Sequence, residues 1–137
     1  MVRAGRIREV GVDARRALSF LDLADERLSE LASISSPVVR LGIAYDAAHD
    51  VGEAFLAAYG YATVNGAGQH AAIGDFLVAV LDAPPEVASA AIHFDRARRA
   101  RNQQNYRATT VGRGQAVAVE EAALILRAAA AARGIGT

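Results

Sequence analysis

The spacing of apolar and polar positions follows a helical period through almost the whole chain. Over residues 12–34, Leu18, Leu21, Ala24, Leu28 and Leu31 recur three or four apart, while Asp22, Asp25, Glu26 and Glu30 fall outside that stripe. This is the pattern of an amphipathic helix. Ser35-Ser36-Pro37 closes it and opens the next, with Ser36 as N-cap and Pro37 in the first helical position. The second helix carries Leu41, Ala44, Tyr45, Ala48, Val51, Phe55 and Ala58 to about Tyr59, and Gly60 is a natural C′ residue. Residues 61–68 read as a loop. A shorter third helix spans Gln69 to Leu81 and stops at Asp82-Ala83-Pro84-Pro85.

The fourth helix runs from those prolines to about Tyr106. A flexible connection through Thr109-Thr110 and Gly112-Arg113-Gly114 leads to the fifth, Gln115 to Arg133, with Val119, Ala122, Ala123, Leu126 and Ala130 inward. No strand pattern or internal repeat is visible. The expectation is an all-α fold, an antiparallel bundle of four long helices plus one short helix. Residues 12–133 form the bundle, residues 1–11 a flexible N-terminal segment, and residues 134–137 a C-terminal tail.

Composition sharpens this picture. Of 137 residues 53% are hydrophobic but only 6% aromatic, and alanine supplies much of the rest. Alanine favours helix and buries little area, so closely packed helices are expected rather than a sandwich or barrel. The absence of Cys rules out disulfides and thiolate chemistry and fits a cytoplasmic address. No run of about 18 uncharged apolar residues exists, so no membrane span is expected. The arginines near the amino terminus have no apolar run behind them, unlike a signal peptide.

Formal net charge is zero, which argues against general electrostatic attachment to nucleic acid. All 15 basic residues are Arg. A GC-rich coding bias accounts for that without any ligand, although guanidinium forks do suit phosphate. The charge is unevenly placed, however. Arg96, Arg98, Arg99, Arg101, Arg107 and Arg113 cluster in a stretch whose only acid is Asp95. A solvated basic face paired with acidic neighbours is the ordinary reading. Helical geometry opposes it for two of them. The apolar stripe from Val87 through Ala91 to Phe94 continues at the same spacing to Arg98, Arg101 and Asn105. An Arg on a core stripe must be paired, reach a cleft or sit at a subunit seam.

Arg98-Ala-Arg-Arg101-Asn102-Gln-Gln-Asn105-Tyr106 resembles the late-helix signature of HEPN domains, in the Arg-Asn-x-x-x-Tyr variant of that motif. Tyr45-Asp46-Ala47-Ala48 within residues 41–58 resembles the family's second helix. Gly68-Gln69-His70 resembles the Gly-x-His opening of its third, and Gln115 onward its alanine-rich closing helix. The resemblance spans about residues 12–133. It implies a bacterial homodimer of the toxin or RNA-processing kind, with paired fourth helices forming a cleft for RNA. Family members with activity cut RNA there without metal or cofactor, by attack of a 2′-hydroxyl on the adjacent phosphate.

Carried over by position, the resemblance makes Arg101 the phosphate clamp and Asn102 its orienting partner. Tyr106 takes the place of the catalytic His, and Arg98, Asn105 and Arg107 supply further phosphate contacts. Tyr with a pKa of about 10 is a poor base at neutral pH, so it donates a hydrogen bond to phosphate, acts as a weak general acid in a weak metal-independent ribonuclease, or packs in a protein that only binds. Arg101 and Tyr106 also lie about 140° apart on an ideal helix, whereas Asn102 and Tyr106 share a face. The alternative is a non-enzymatic partner subunit or interaction module, for example of a nucleotidyltransferase or a cognate antitoxin. A bundle whose arginines are all ion-paired is a third reading.

Other candidates carry less. His49, His70 and His93 show no three- or four-residue spacing for a metal site. His70 reads more readily as a capping or loop-packing residue than as a ligand. Tyr45, Asp46 and Glu53 are placed to approach the fourth helix, either as ion-pair partners of Arg98 or Arg101 or as orienting groups. Tyr59 and Tyr61 suit packing at a helix end better than stacking on a base. Gly112-Arg113-Gly114 lacks the strand and further glycines of a phosphate loop.

Overall fold

A computed structural model of the chain describes residues 6–64, 69–107 and 112–136, and for residues 99–107 it describes the helical backbone alone. Among these residues five helices form: α1 (Ala14–Glu30), α2 (Pro37–Tyr59), α3 (Gln69–Val80), α4 (Pro85–Arg107) and α5 (Arg113–Ala132). Four are long and one short, as the periodicity predicts. A 3-10 turn, Leu31–Ser33, follows α1.

The strand-free expectation is wrong. Ile7–Glu9 (β1) and Tyr61–Thr63 (β2) pair antiparallel, Ile7 opposite Thr63 and Glu9 opposite Tyr61. Three-residue strands are too short to display a two-residue alternation, so the pattern could not reveal them. The ribbon ties down part of the N-terminal segment expected to stand apart from the bundle. Val10 and Gly11 donate backbone hydrogen bonds to Gly60 O, and Asp13 donates one to Ala57 O. Gly60 makes this turn with φ of 92°, a left-handed conformation that other residues rarely adopt. Residues 61–63, read as loop, are thus strand.

Boundaries move for local reasons. Asp13 accepts a hydrogen bond from the Arg16 N–H, which caps α1 and sets its start. The inward stripe of α1 is Ala17, Leu21 and Ala24, continued by Leu31 beyond its end; Leu18 is 43% exposed. The C-terminal residues are not a free tail. Ile135 is buried, its N–H bonds to Ala130 O, and Gly136 lies against Leu21. Gly112 is the N-cap of α5 rather than part of a flexible connection, its N–H donating to Gln115 Oε1 at 2.9 Å.

The core runs along α2, whose Leu41, Tyr45, Val51, Phe55 and Leu56 are fully buried among Leu21, Ile73, Leu77, Phe94 and Leu126. Ala44, Ala47, Ala48, Ala54 and Ala57 on α2 and Ala122, Ala123 and Ala130 on α5 are also buried. Small side chains let the axes approach closely. Two glycines extend this. A Cβ at Gly52 would strike Ile73 of α3, and one at Gly74 would strike the Asp95 carboxylate of α4. The short 81–84 connection and the Gly74–Asp95 contact place α3 and α4 as antiparallel neighbours.

Candidate functional site

Many of the charged side chains are tied into structural pairs. Arg27 of α1 donates through Nε to the buried Asp50 of α2 at 2.7 Å and also approaches Asp46 at 3.8 Å. Arg40 reaches Glu120 of α5 at 2.5 Å and donates to the Leu31 and Ile34 carbonyls, closing the turn between α1 and α2. Arg127 binds Asp25 by two hydrogen bonds of 2.7 and 3.0 Å. The Glu120 and Asp25 carboxylates hold Arg40 and Arg127 more firmly protonated than a free guanidinium.

Glu53 is the second buried carboxylate. It lies 3.7 Å from Arg16 and accepts a 3.4 Å hydrogen bond from the Thr63 hydroxyl, which itself accepts one from Gln69. Burial raises its pKa, against the opposing pull of Arg16 and Thr63. Asp50 is raised for the same reason, opposed by Arg27. Glu53 and Asp46 therefore have their identified ion-pair partners on α1. Among the described residues, the carboxylate paired with Arg98 is its own helix neighbour Asp95.

On α4, Val87, Ala90, Ala91, Phe94 and Ala97 are buried. Arg98, next on that face, is half-buried. Its Nε stands 4.0 Å from Asp95 Oδ1, beyond hydrogen-bonding range, and is buried without a hydrogen-bond partner among the described residues. Arg101, Asn102, Asn105, Tyr106 and Arg107 follow on the helical backbone, but their side chains lie outside the described residues. So does Gly68 of the Gly-x-His opening.

Beside this stretch the structure assembles a group that spacing alone concealed. Tyr45 of α2 stacks on Phe94 of α4, with ring centroids 5.2 Å apart, and on His70 of α3, 5.9 Å apart. The Tyr45 hydroxyl hydrogen-bonds with His70 Nδ1 at 3.1 Å. His49, one turn further along α2, brings its ring to 4.4 Å from His70. The two imidazoles are far apart in sequence and on different helices, so no local motif could pair them. The only sequence signal is weak: Tyr45 and His49 share a face of α2, and His70 opens α3.

No family model, curated protein or solved structure matches this chain. Its site must be read from chemistry. His93 is exposed, and no group of three potential metal ligands gathers among the described residues. No described helix is long and apolar enough to cross a membrane. Tyr59 and Tyr61 pack on Phe76 at 6.1 and 5.9 Å, which accounts for both as helix-end packing.

Proposed function

We propose that this protein is an RNA-associated protein of the HEPN type, binding RNA in a cleft formed by the fourth helices of two copies. Arg98 and Arg101 engage phosphate, Asn102 orients Arg101 or the ribose, and Tyr106 donates a hydrogen bond. The observation that carries this reading is the position of Arg98. It lies on the face that holds Val87, Ala91 and Phe94, yet its Nε is buried beyond hydrogen-bonding reach of Asp95. Leaving a buried donor unmet costs about 1–3 kcal/mol, so a bound anion or a partner surface would offset it. Further support comes from Tyr45, His70 and Phe94, which draw the helices carrying the resemblance into one cluster.

The test is binding and cleavage of a mixed-sequence single-stranded RNA by wild type and Arg101→Ala, with light scattering on both. A dimer that binds RNA and weakens on substitution is expected. Equal affinity removes Arg101 from the site, and a monomer at micromolar concentration removes the composite cleft. A purified dimer that ignores RNA but recovers a stoichiometric protein partner would replace this reading with that of a partner subunit.

A further inference from the structure

We infer that the cavity between α1, α2 and the β-ribbon binds a free α-amino acid, with its ammonium on Glu53 and its carboxylate on Arg16 and Arg8. The inference stands apart from the RNA reading, since none of its residues belongs to α4.

Elements distant in sequence build this cavity. Arg8 comes from β1, Asp13 and Arg16 from the start of α1, Glu53 from α2, Thr63 from β2 and Gln69 from the start of α3. Backbone hydrogen bonds from Val10 and Gly11 to Gly60 O hold the wall between Arg8 and Asp13 in place. The volume is about 420 Å³, within the range of small-molecule sites. All of its lining residues lie among the described ones.

Glu53 is the anchor. It is only 6% exposed, yet its two oxygens are loosely met. Oε2 stands 3.7 Å from Arg16 Nη2, beyond hydrogen-bonding range, and Oε1 accepts one long hydrogen bond of 3.4 Å from Thr63. A carboxylate can accept about four hydrogen bonds, so this buried group has capacity to spare. Burial raises its pKa, and Arg16 and Thr63 offset that only in part. A ligand ammonium would supply the charge-assisted hydrogen bonds that the fold leaves out.

The cationic side is open as well. Arg8 is exposed, and among the described residues neither its guanidinium nor that of Arg16 makes a hydrogen bond. Arg16 lies over the Phe20 ring at 5.3 Å. That contact uses the face of the guanidinium and leaves its N–H edge for an anion.

Arg8 and Arg16 balance Asp13 and Glu53, so the cavity is a neutral site of mixed sign. Its complement is a zwitterion rather than a simple cation or anion. The spacing of Glu53 and Arg16 decides which kind. Acid and guanidinium stand side by side, and an α-amino acid bears its ammonium and carboxylate on one carbon. A longer ω-amino acid would have to fold back to meet both, at a cost in conformational entropy. Gln69 donates to Thr63 and keeps its carbonyl for the ligand, which suits a polar side chain.

The test is calorimetric titration of the full chain with L-serine, L-glutamine, L-glutamate and L-arginine, each also as its N-acetyl and α-amide derivatives. At least one of the four should bind with a Kd of about 1 mM or tighter. Blocking its ammonium or its carboxylate should abolish the heat. Glu53→Gln, close to isosteric, should weaken binding about tenfold or more, as for loss of a charge-assisted hydrogen bond. Arg8→Gln alters an exposed side chain and should weaken binding at unchanged melting temperature. It decides the matter even where Glu53→Gln fails to fold. Absence of heat from all four amino acids overturns the inference, as does a blocked derivative that binds as well as its parent. Unchanged affinity in Arg8→Gln overturns it too, because the carboxylate then lies elsewhere.

Discussion

Arg27, Arg40 and Arg127 on α1, α2 and α5 sit in a different electrostatic situation from Arg98 on α4. On the first three helices Arg27, Arg40 and Arg127 each hold a carboxylate of another helix at 2.5–2.7 Å. These ion pairs join α1 to α2, α2 to α5 and α1 to α5, so their charge is used in holding the bundle. On α4, Arg98 has only Asp95 of its own helix among the described residues, at 4.0 Å. Zero net charge thus conceals a division between neutralised arginines that build the fold and an α4 arginine whose buried Nε has no hydrogen-bond partner among the described residues. Local pairing, not the total, decides what a basic residue can do.

That contrast can be broken by substitutions whose effects differ in kind. The largest expected loss is at the joint between the two regions. Phe94→Ala removes a fully buried ring that supports Tyr45, and should cost about 3–5 kcal/mol of stability in denaturant titration. Next comes a matched pair. Arg27→Gln leaves the buried Asp50 without its cation and should cost about 1–3 kcal/mol, whereas Arg98→Gln should cost about 0.5 kcal/mol or less while weakening RNA binding. Equal stability losses from the two would erase the distinction.

Gly52→Ala should destabilise by about 1–3 kcal/mol, through overpacking against Ile73. Thermal unfolding of this variant checks how closely α3 packs on α2 at Gly52. The smallest effect concerns Glu53, whose pKa burial raises. A folded state that keeps its proton to higher pH loses stability as pH rises from the ordinary carboxylate value through the raised one. Glu53→Gln removes that slope, so its stability relative to wild type should grow as pH rises above the ordinary Glu value of about 4.3. A difference independent of pH would show that Glu53 is not held above its ordinary value.

Much of the bundle was legible because its signals are local. Ser36-Pro37, Gly60 and Pro84-Pro85 mark helix ends through backbone constraints of one or two residues, and α2 and α4 begin or end within a residue or two of them. The ribbon was not legible, since Ile7–Glu9 and Tyr61–Thr63 are defined by each other across a long stretch of intervening chain. Leu18 was placed inward by its three-residue spacing from Leu21, yet it is 43% exposed. Ala17, Leu21 and Ala24 share the true inward direction, and the C-terminal turn with Ile135 and Gly136 covers the flank beside them. At the candidate site, the stripe leading to Arg98 could be read from its period. The Tyr45–His70–His49 group could not, because separate helices must pack before those rings meet.

The most direct measurement of the central claim is the affinity of single-stranded RNA for wild type and Arg101→Ala across a salt series, with melting temperature followed in parallel. Arg101→Ala should bind at least about tenfold more weakly, with a salt slope shallower by about 0.7 for each phosphate that Arg101 no longer neutralises, at unchanged melting temperature. Unchanged affinity and slope would place Arg101 among the structural arginines and contradict that claim.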